Sequence, residues 1–116
     1  MGIARSRLVN GKYQDYEDLP SPINTDHPEM HPFIAPDESY LIFESGRLGM
    51  DKGLRLYVTF RSKDDSWSDP QEIPVGMPGG IPFVSSDGKY LFFVGGRPGD
   101  IHWVDANIFK DLEPER

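Results

Sequence analysis

Cysteine is absent from this sequence of 116 residues, and its absence excludes several kinds of site. Without it no disulfide, thiolate zinc site or cysteine nucleophile can form. Long apolar runs are missing too, since no window approaches the roughly 18–20 apolar residues of a membrane-spanning helix. The first residues, Met-Gly-Ile-Ala-Arg-Ser-Arg, lack the apolar run of a secretory signal. The sequence therefore predicts neither a membrane role nor an export signal in these residues.

Positive charge is also in deficit. The sequence has 12 lysines and arginines against 19 aspartates and glutamates, which gives a net charge of −7. A chain with this charge repels phosphate backbones and anionic lipids, so we predict neither a nucleic-acid nor a membrane partner. Aromatic residues make up 12% of the sequence, which is too many for a disordered tail. The length allows one small domain.

The strongest pattern in the sequence is an internal repeat. Residues 31–47, HPFIAPDESYLIFESGR, align without a gap with residues 81–97, IPFVSSDGKYLFFVGGR, and eight of the seventeen positions are identical. Residues 56–74 resemble residues 3–20 at a shift of 53 that becomes 54 after one inserted residue, with Trp67 opposite Tyr13. The unit is therefore about 50 residues long, and the chain holds a little more than two units.

The pattern of each unit predicts β-strands, because its apolar runs are short, rich in Phe, Tyr, Val and Ile, and bounded by turn residues. The full unit, residues 31–74, has four predicted strands at 32–35, 40–44, 54–61 and 67–73. The second unit, residues 81–106, has three at 82–85, 90–94 and 101–106, followed by a tail at 107–116 with a helical turn over 107–112. The N-terminal half unit, residues 3–20, has two at 3–8 and 12–19. The chain is therefore predicted to be a single all-β domain.

Four antiparallel strands in a unit of this length are typical of a β-propeller blade. The phrases PFIAPDESYLIF and PFVSSDGKYLFF, each followed shortly by Gly-Arg, resemble the WD-like repeat of TolB-type β-propellers. The segments LYVTFRSKDDSWSDP and DIHWVDA are similar to the same family. The resemblance covers nearly the whole chain and implies propeller-like blades, about two per chain. It says little about activity, because one fold serves many functions.

Propellers of this family resemble closed rings of about six blades, so two blades predict that something supplies the missing neighbours. Three arrangements are open. Three chains could close a ring as a homo-oligomer, with residues 12–19 of one chain completing the unfinished blade of the next. The chain could belong to a longer parent, for which the resemblance implies the periplasm if that parent is exported. The two terminal half-blades could also pair within one chain.

The segment TDHPEMH, residues 25–31, combines two histidines with two carboxylates. Its carboxylates and imidazoles, Asp26, His27, Glu29 and His31, belong to the ligand types that bind divalent metals. Two prolines favour an extended loop, in which the imidazoles do not converge, so we predict neither a metal nor a cofactor. The loop is four residues longer than its counterpart in the next unit, which makes these four residues the first candidates for binding a ligand.

Arg47 and Arg97 occupy equivalent positions of the two repeats and are weaker candidates for binding a ligand. A repeated residue is usually structural, so contacts with turn carbonyls or a neighbouring carboxylate are favoured over anion binding. Large aromatic side chains are expected to fill the space between the sheets, namely Tyr40, Phe43, Tyr90, Phe93, Trp67 and Trp103. A carbohydrate-stacking surface built from Trp67 and Tyr13 is the alternative for these two residues.

The sequence contains neither a Gly-x-Ser-x-Gly nor a His-Glu-x-x-His motif, and no catalytic residue is predicted. We therefore predict a non-enzymatic β-propeller-like module that binds a partner protein or small ligand, or that assembles, through the face carrying the loops at residues 26–31 and 46–52. The alternative is a hydrolase or lyase acting on sugars or peptides in a channel formed on assembly. That alternative predicts that Asp26, His27, Glu29, His31 or Arg47 from different blades converge.

Overall fold

Eleven short β-strands carry almost all of the regular structure in the computed structural model, which describes residues 2–96 and 99–114. They form four antiparallel sheets, which confirms the predicted all-β class. The strands are β1 Ala4–Arg5, β2 Leu8–Val9, β3 Lys12–Tyr13, β4 Glu17–Asp18, β5 Glu29–Ile34, β6 Tyr40–Ser45, β7 Arg55–Phe60, β8 Gln71–Glu72, β9 Gly79–Val84, β10 Tyr90–Gly95 and β11 Asp100–Asp105. A 3₁₀ turn spans Met50–Lys52 and a short helix, α1, spans Asn107–Lys110. In the described part of the chain no helix has the length and apolar character needed to cross a membrane.

The first sheet contains β5, β6, β7 and β8 in that order, as the full repeat unit predicts. In the turn between β5 and β6, the Asp37 carboxylate accepts hydrogen bonds from the hydroxyl and the N–H of Ser39. These hydrogen bonds hold the pKa of Asp37 below its usual value. The fourth strand is shorter than predicted: Trp67 forms an isolated bridge with Arg61, and the ladder resumes only at β8. Pro70 lies in the interruption and has no N–H to donate.

The second sheet contains β9, β10 and β11 and repeats the first three strands of the first sheet. Its β9–β10 turn is closed in a similar way, by hydrogen bonds from the Ser85 hydroxyl and the Lys89 N–H to the Asp87 carboxylate. After β11 the chain forms α1 instead of a fourth strand, in agreement with the helical turn predicted there. Phe109 of α1 is fully buried, with its ring centre 4.9 Å from that of Tyr40.

Residues 3–19 form a hairpin whose strands are shorter than the two predicted from the sequence. β1 pairs with β4 and β2 pairs with β3, with an interruption between the two ladders. The turn at Asn10 and Gly11 has φ values of 51° and 79°, as a two-residue hairpin turn requires. Among the described residues the hairpin strands pair only with each other. The arrangement in which the terminal half-blades pair within one chain is therefore not found.

The two faces of the first sheet are buried against different neighbours, because side chains alternate along a strand. One face packs on the second sheet, and the other packs on the hairpin and the segment that follows it. The side chains are Ile42, Leu56, Val58 and Phe60 with Val84, Leu91 and Phe93 on the first face, and Leu41, Phe43 and Tyr57 with Ile3, Leu19 and Ile23 on the second. The layers therefore stack in chain order as hairpin, first sheet and second sheet.

Candidate functional site

Glu29 begins β5 and is fully buried, so its carboxylate is not accessible to a ligand that binds at the long loop. Its carboxylate accepts hydrogen bonds from the Thr25 N–H at 2.9 Å, the Thr25 hydroxyl at 2.7 Å and the Ser45 hydroxyl at 2.7 Å. A buried carboxylate needs such donors to offset its loss of hydration. Glu29 therefore fastens the loop at residues 25–28 to β6.

Arg47 follows β6 and connects the first sheet to the segment that precedes the long loop. Its Nη1 and Nη2 donate to the carbonyls of Pro22 and Ile23 at 2.8 and 2.7 Å, and its Nε donates to the Ser45 hydroxyl at 2.9 Å. Burial lowers the pKa of Arg47, although the Glu29 carboxylate lies 3.9 Å from Nη2 and acts in the opposite direction. These contacts with carbonyls and a carboxylate give Arg47 a structural role.

His31 lies on β5 and contacts a residue that the sequence analysis missed. Its Nδ1 lies 2.8 Å from the carboxylate of Glu44, which is buried on β6. The same carboxylate accepts a hydrogen bond from the N–H of Ile81 on β9. Glu44 therefore connects three strands and both main sheets. The signal that could have identified it is a glutamate in the apolar run YLIF-Glu, where the second repeat has Val94.

The candidate residues of the long loop do not come together as a catalytic group. Asp26 and His27 have exposed side chains on the loop before β5. The structure brings Glu29 and Arg47 together in the interior, whereas His31 is paired with a different carboxylate. Arg97 lies outside the described residues. Within residues 2–96 and 99–114, no group of three or more His, Cys, Asp or Glu side chains is arranged to hold a metal ion.

A cavity of about 860 Å³ lies between the N-terminal hairpin and the first sheet. Its lining includes Arg5, Arg7, Tyr13, Ile34, Arg61 and Trp67. The indole N–H of Trp67 is shielded from solvent and has no hydrogen-bond partner among the described residues. Tyr13 and Trp67, the two aromatic residues that the sequence offers as a stacking surface, therefore line the same cavity.

An ion-pair network forms the charged wall of this cavity. The two terminal nitrogens of Arg5 donate to Asp65 at 3.0 and 2.8 Å, and Arg7 and Arg61 also donate to Asp65. Hydrogen bonds from Arg5 and Arg61 hold the pKa of Asp65 well below its usual range. Glu17 accepts hydrogen bonds from Arg5 and Arg7. The network joins the hairpin to the turn after β7.

The outer face of the second sheet is apolar, and the described residues leave it open. Four of its side chains are exposed: Ile101 at 75%, Trp103 at 67%, Phe83 at 57%, whose ring also lies edge-on to Phe33 of the first sheet, and Tyr90 at 42%. The prediction that Tyr90 and Trp103 fill the space between the sheets is therefore wrong. The strand register places Phe92 opposite both Phe83 and Trp103, so these side chains share one face. The rings of Phe92 and Trp103 stack with their centres 6.2 Å apart. Exposed apolar side chains that share one sheet face are a candidate interaction surface.

Comparison with known proteins does not assign the chain to a family. No protein-family model matches it, and no curated protein matches its sequence significantly. The resemblance to TolB-type propellers therefore rests on the repeat motifs, and function has to be argued from the geometry of this chain.

Proposed function

We propose that this protein is a non-enzymatic assembly module that pairs with a second copy of itself through the outer face of the second sheet. The observation that carries the proposal is the open aromatic face formed by Phe83, Tyr90, Phe92, Ile101 and Trp103. Exposed aromatic side chains lose unfavourable contact with water when a complementary apolar surface covers them.

The repeat supports this use of the face. Tyr90 and Phe92 are the equivalents, fifty residues later, of Tyr40 and Ile42 in the first sheet. Ile42 is fully buried against the second sheet, and Tyr40 packs against the same apolar cluster. The same positions are therefore covered by a neighbouring sheet in one repeat and open in the other. The partner that fits the open face is another β-sheet with an apolar surface.

Layer stacking favours a symmetric pair over a head-to-tail ring. The hairpin covers one face of the first sheet and the second sheet covers the other. Of the two main sheets in the described part of the chain, the second has an outer face that no other layer covers. A second copy therefore offers the same face in return, which gives an isologous dimer.

The size of the face sets the strength expected of the contact. Three strands of six residues present a flat area of roughly 280 Å² per copy, well below the ~800 Å² per partner of a standard stable interface. We therefore expect a dimer whose population rises with protein concentration. Contacts from the flanking loops would add to this area without changing the face that is used.

The alternative ring of three chains makes a different use of the N-terminal segment. It needs residues 12–19 to pair with the free edge of β11 in the next chain. In the structure these residues form the second half of the hairpin, and Leu19 packs on the first sheet of its own chain. The enzymatic alternative is less well supported, because the buried pair of Glu29 and Arg47 is occupied by structural hydrogen bonds.

The test is the solution mass of the protein across a concentration series, by light scattering coupled to gel filtration. We expect a mass that rises from one chain towards two chains. Trp103→Ser and Ile101→Thr should hold the mass at one chain, because both side chains are exposed and their loss leaves the fold intact. Tyr16→Ser is the matched control, since Tyr16 is 74% exposed but lies on the hairpin. A mass of three chains, a constant monomer, or a dimer unaffected by the two variants would overturn the proposal.

A further inference from the structure

We propose that the cavity between the N-terminal hairpin and the first sheet is a binding site for a neutral carbohydrate. The cavity is bounded by the hairpin, by the edge strand β5 and by the segment after β7. It lies on the opposite side of the first sheet from the second sheet. The proposal is therefore independent of the assembly described above.

The size and the lining of the cavity are those of a small-molecule site. Its volume of about 860 Å³ falls within the roughly 300–1,000 Å³ of typical ligand cavities. Apolar side chains from both walls, Leu8 and Val9 on the hairpin and Ile34 on β5, lie beside the polar groups of the ion-pair network. Predominantly apolar walls with a few oriented polar groups are the usual composition of such sites.

The charge of the lining selects a neutral ligand. Each of the three arginines at the cavity is already paired: Arg5 and Arg7 with Glu17 and Asp65, and Arg61 with Asp65 and with Glu38 at 3.7 Å. Three guanidinium groups therefore face three carboxylates, and an anion finds no uncompensated positive charge. Compensated charges still offer hydrogen bonds. A guanidinium has five N–H groups, of which Arg7 uses two in the described hydrogen bonds.

The aromatic residues select a ligand with flat apolar faces. Tyr13 is 76% exposed at the hairpin wall, and Trp67, which is partly buried beside the first sheet, lines the same cavity. The electron-rich face of an aromatic ring attracts C–H groups, which a sugar ring presents on its faces while its hydroxyls point to the edges. A neutral sugar therefore matches both parts of the lining, with its C–H face on the aromatic rings and its hydroxyls on the arginine N–H groups.

The edge of β5 disfavours the other ligand that such a groove suggests, an extended peptide. A peptide that adds to a sheet edge needs backbone N–H groups on that edge. Pro32 on β5 and Pro36, two residues after its end, line the cavity and have no N–H to donate. Prolines on an edge strand are a common means of preventing strand addition.

The test is calorimetric titration of the full chain with three neutral disaccharides: maltose, cellobiose and N,N′-diacetylchitobiose. We expect at least one to bind, and Tyr13→Ala to weaken that binding roughly tenfold, the effect of losing one aromatic contact. Tyr16→Ala is the matched control, because Tyr16 is equally exposed on the same hairpin but does not line the cavity. Circular dichroism checks that both variants keep the fold.

Three results would overturn the proposal. The first is that none of the three sugars binds. The second is that Tyr13→Ala and Tyr16→Ala have the same effect on binding. The third is that digalacturonate, an acidic disaccharide of similar size, binds more tightly than every neutral sugar. Since Tyr13 does not lie on the outer face of the second sheet, a failure here leaves the assembly proposal standing, and the solution mass tests that separately.

Discussion

His31 and Ile81 lie fifty residues apart, at the same position of the two repeats, and both have a left-handed backbone conformation, with φ of 49° and 48°. Each lies where the pairing of its strand shifts register, His31 in β5 and Ile81 in β9. The two side chains are chemically unlike, so the β-bulge is a property of the repeat and not of either residue. For a β-branched residue such as isoleucine this φ is strained.

Ile81→Gly is therefore expected to leave the free energy of unfolding unchanged or to raise it by up to about 1.5 kcal/mol. Glycine relieves the left-handed strain, worth about 1–2 kcal/mol, and loses about 0.5–1 kcal/mol through its greater freedom in the unfolded chain. Ile34→Gly is the control, since Ile34 is similarly exposed on β5 but has an ordinary φ. It should lower stability by about 1 kcal/mol. Urea denaturation measures both, and equal losses in the two variants would contradict the strain argument.

Gly80 and Glu44 test the contact between the two main sheets. A Cβ atom at position 80 would collide with the Glu44 carboxylate, which is buried and held by His31 and the Ile81 N–H. Because the carboxylate has to leave these partners, Gly80→Ala should cost about 1–3 kcal/mol. The same change should cost much less in a Glu44→Ala background, where the colliding group is gone. The measurement is a double-mutant cycle by urea denaturation. Additive losses would show that Gly80 is needed for a reason other than the close approach of this carboxylate.

The strands could largely be predicted from the sequence, because each repeat has the same short apolar runs and turn residues. β6 and β10 begin at Tyr40 and Tyr90, where the pattern placed them. β5 and β9 begin three residues earlier than predicted, since their bulges allow pairing to continue past the proline of each repeat. A bulge depends on backbone geometry across two strands, and a local pattern does not record it.

The candidate site was harder to predict, because its contacts join distant parts of the chain. Glu29 carries a charge and follows a proline, so the sequence suggested an exposed ligand. The Ser45 hydroxyl, sixteen residues away, is one of the donors that allow it to be buried. Glu44 was overlooked because it lies in a strand, and its partner Ile81 belongs to the other repeat. The cavity at Tyr13 and Trp67 depends on how the hairpin folds over the sheet, which spacing alone does not determine.

Arg47 is expected to be irreplaceable by lysine although both carry the same charge. Its planar group donates to two carbonyls and a hydroxyl and lies 4.7 Å from the centre of the Tyr57 ring. A lysine ammonium cannot reproduce this fork, so Arg47→Lys should lower the free energy of unfolding by about 1–3 kcal/mol. Arg55→Lys is the control, because Arg55 forms a peripheral ion pair with Glu72, and such pairs contribute about 1 kcal/mol or less. Thermal and urea unfolding would contradict this view if the two variants lost equal stability.

Asp65 should make a pH-dependent contribution to stability, because it accepts hydrogen bonds from three arginines. Its pKa in the folded protein lies well below the usual 3.8 owing to Arg5 and Arg61. The stabilisation is therefore complete above the unfolded-state pKa and is lost as the pH falls through the lower folded-state pKa.

Asp65→Asn tests this dependence and keeps the backbone unstrained, since asparagine tolerates the φ of 68° found at this position. At about pH 7 the variant should lose about 1–3 kcal/mol of unfolding free energy, the value of hydrogen bonds to a charged group. The difference from the wild type should shrink as the pH falls below about 4, because the wild-type carboxyl then takes up protons on unfolding. Asp69→Asn, at a nearby exposed position, should change stability by less than about 0.5 kcal/mol. The measurement is urea denaturation at about pH 7 and below about pH 4. If the difference in unfolding free energy between the wild type and Asp65→Asn stays constant or grows in acid, the arginine network does not stabilise the ionised form of Asp65.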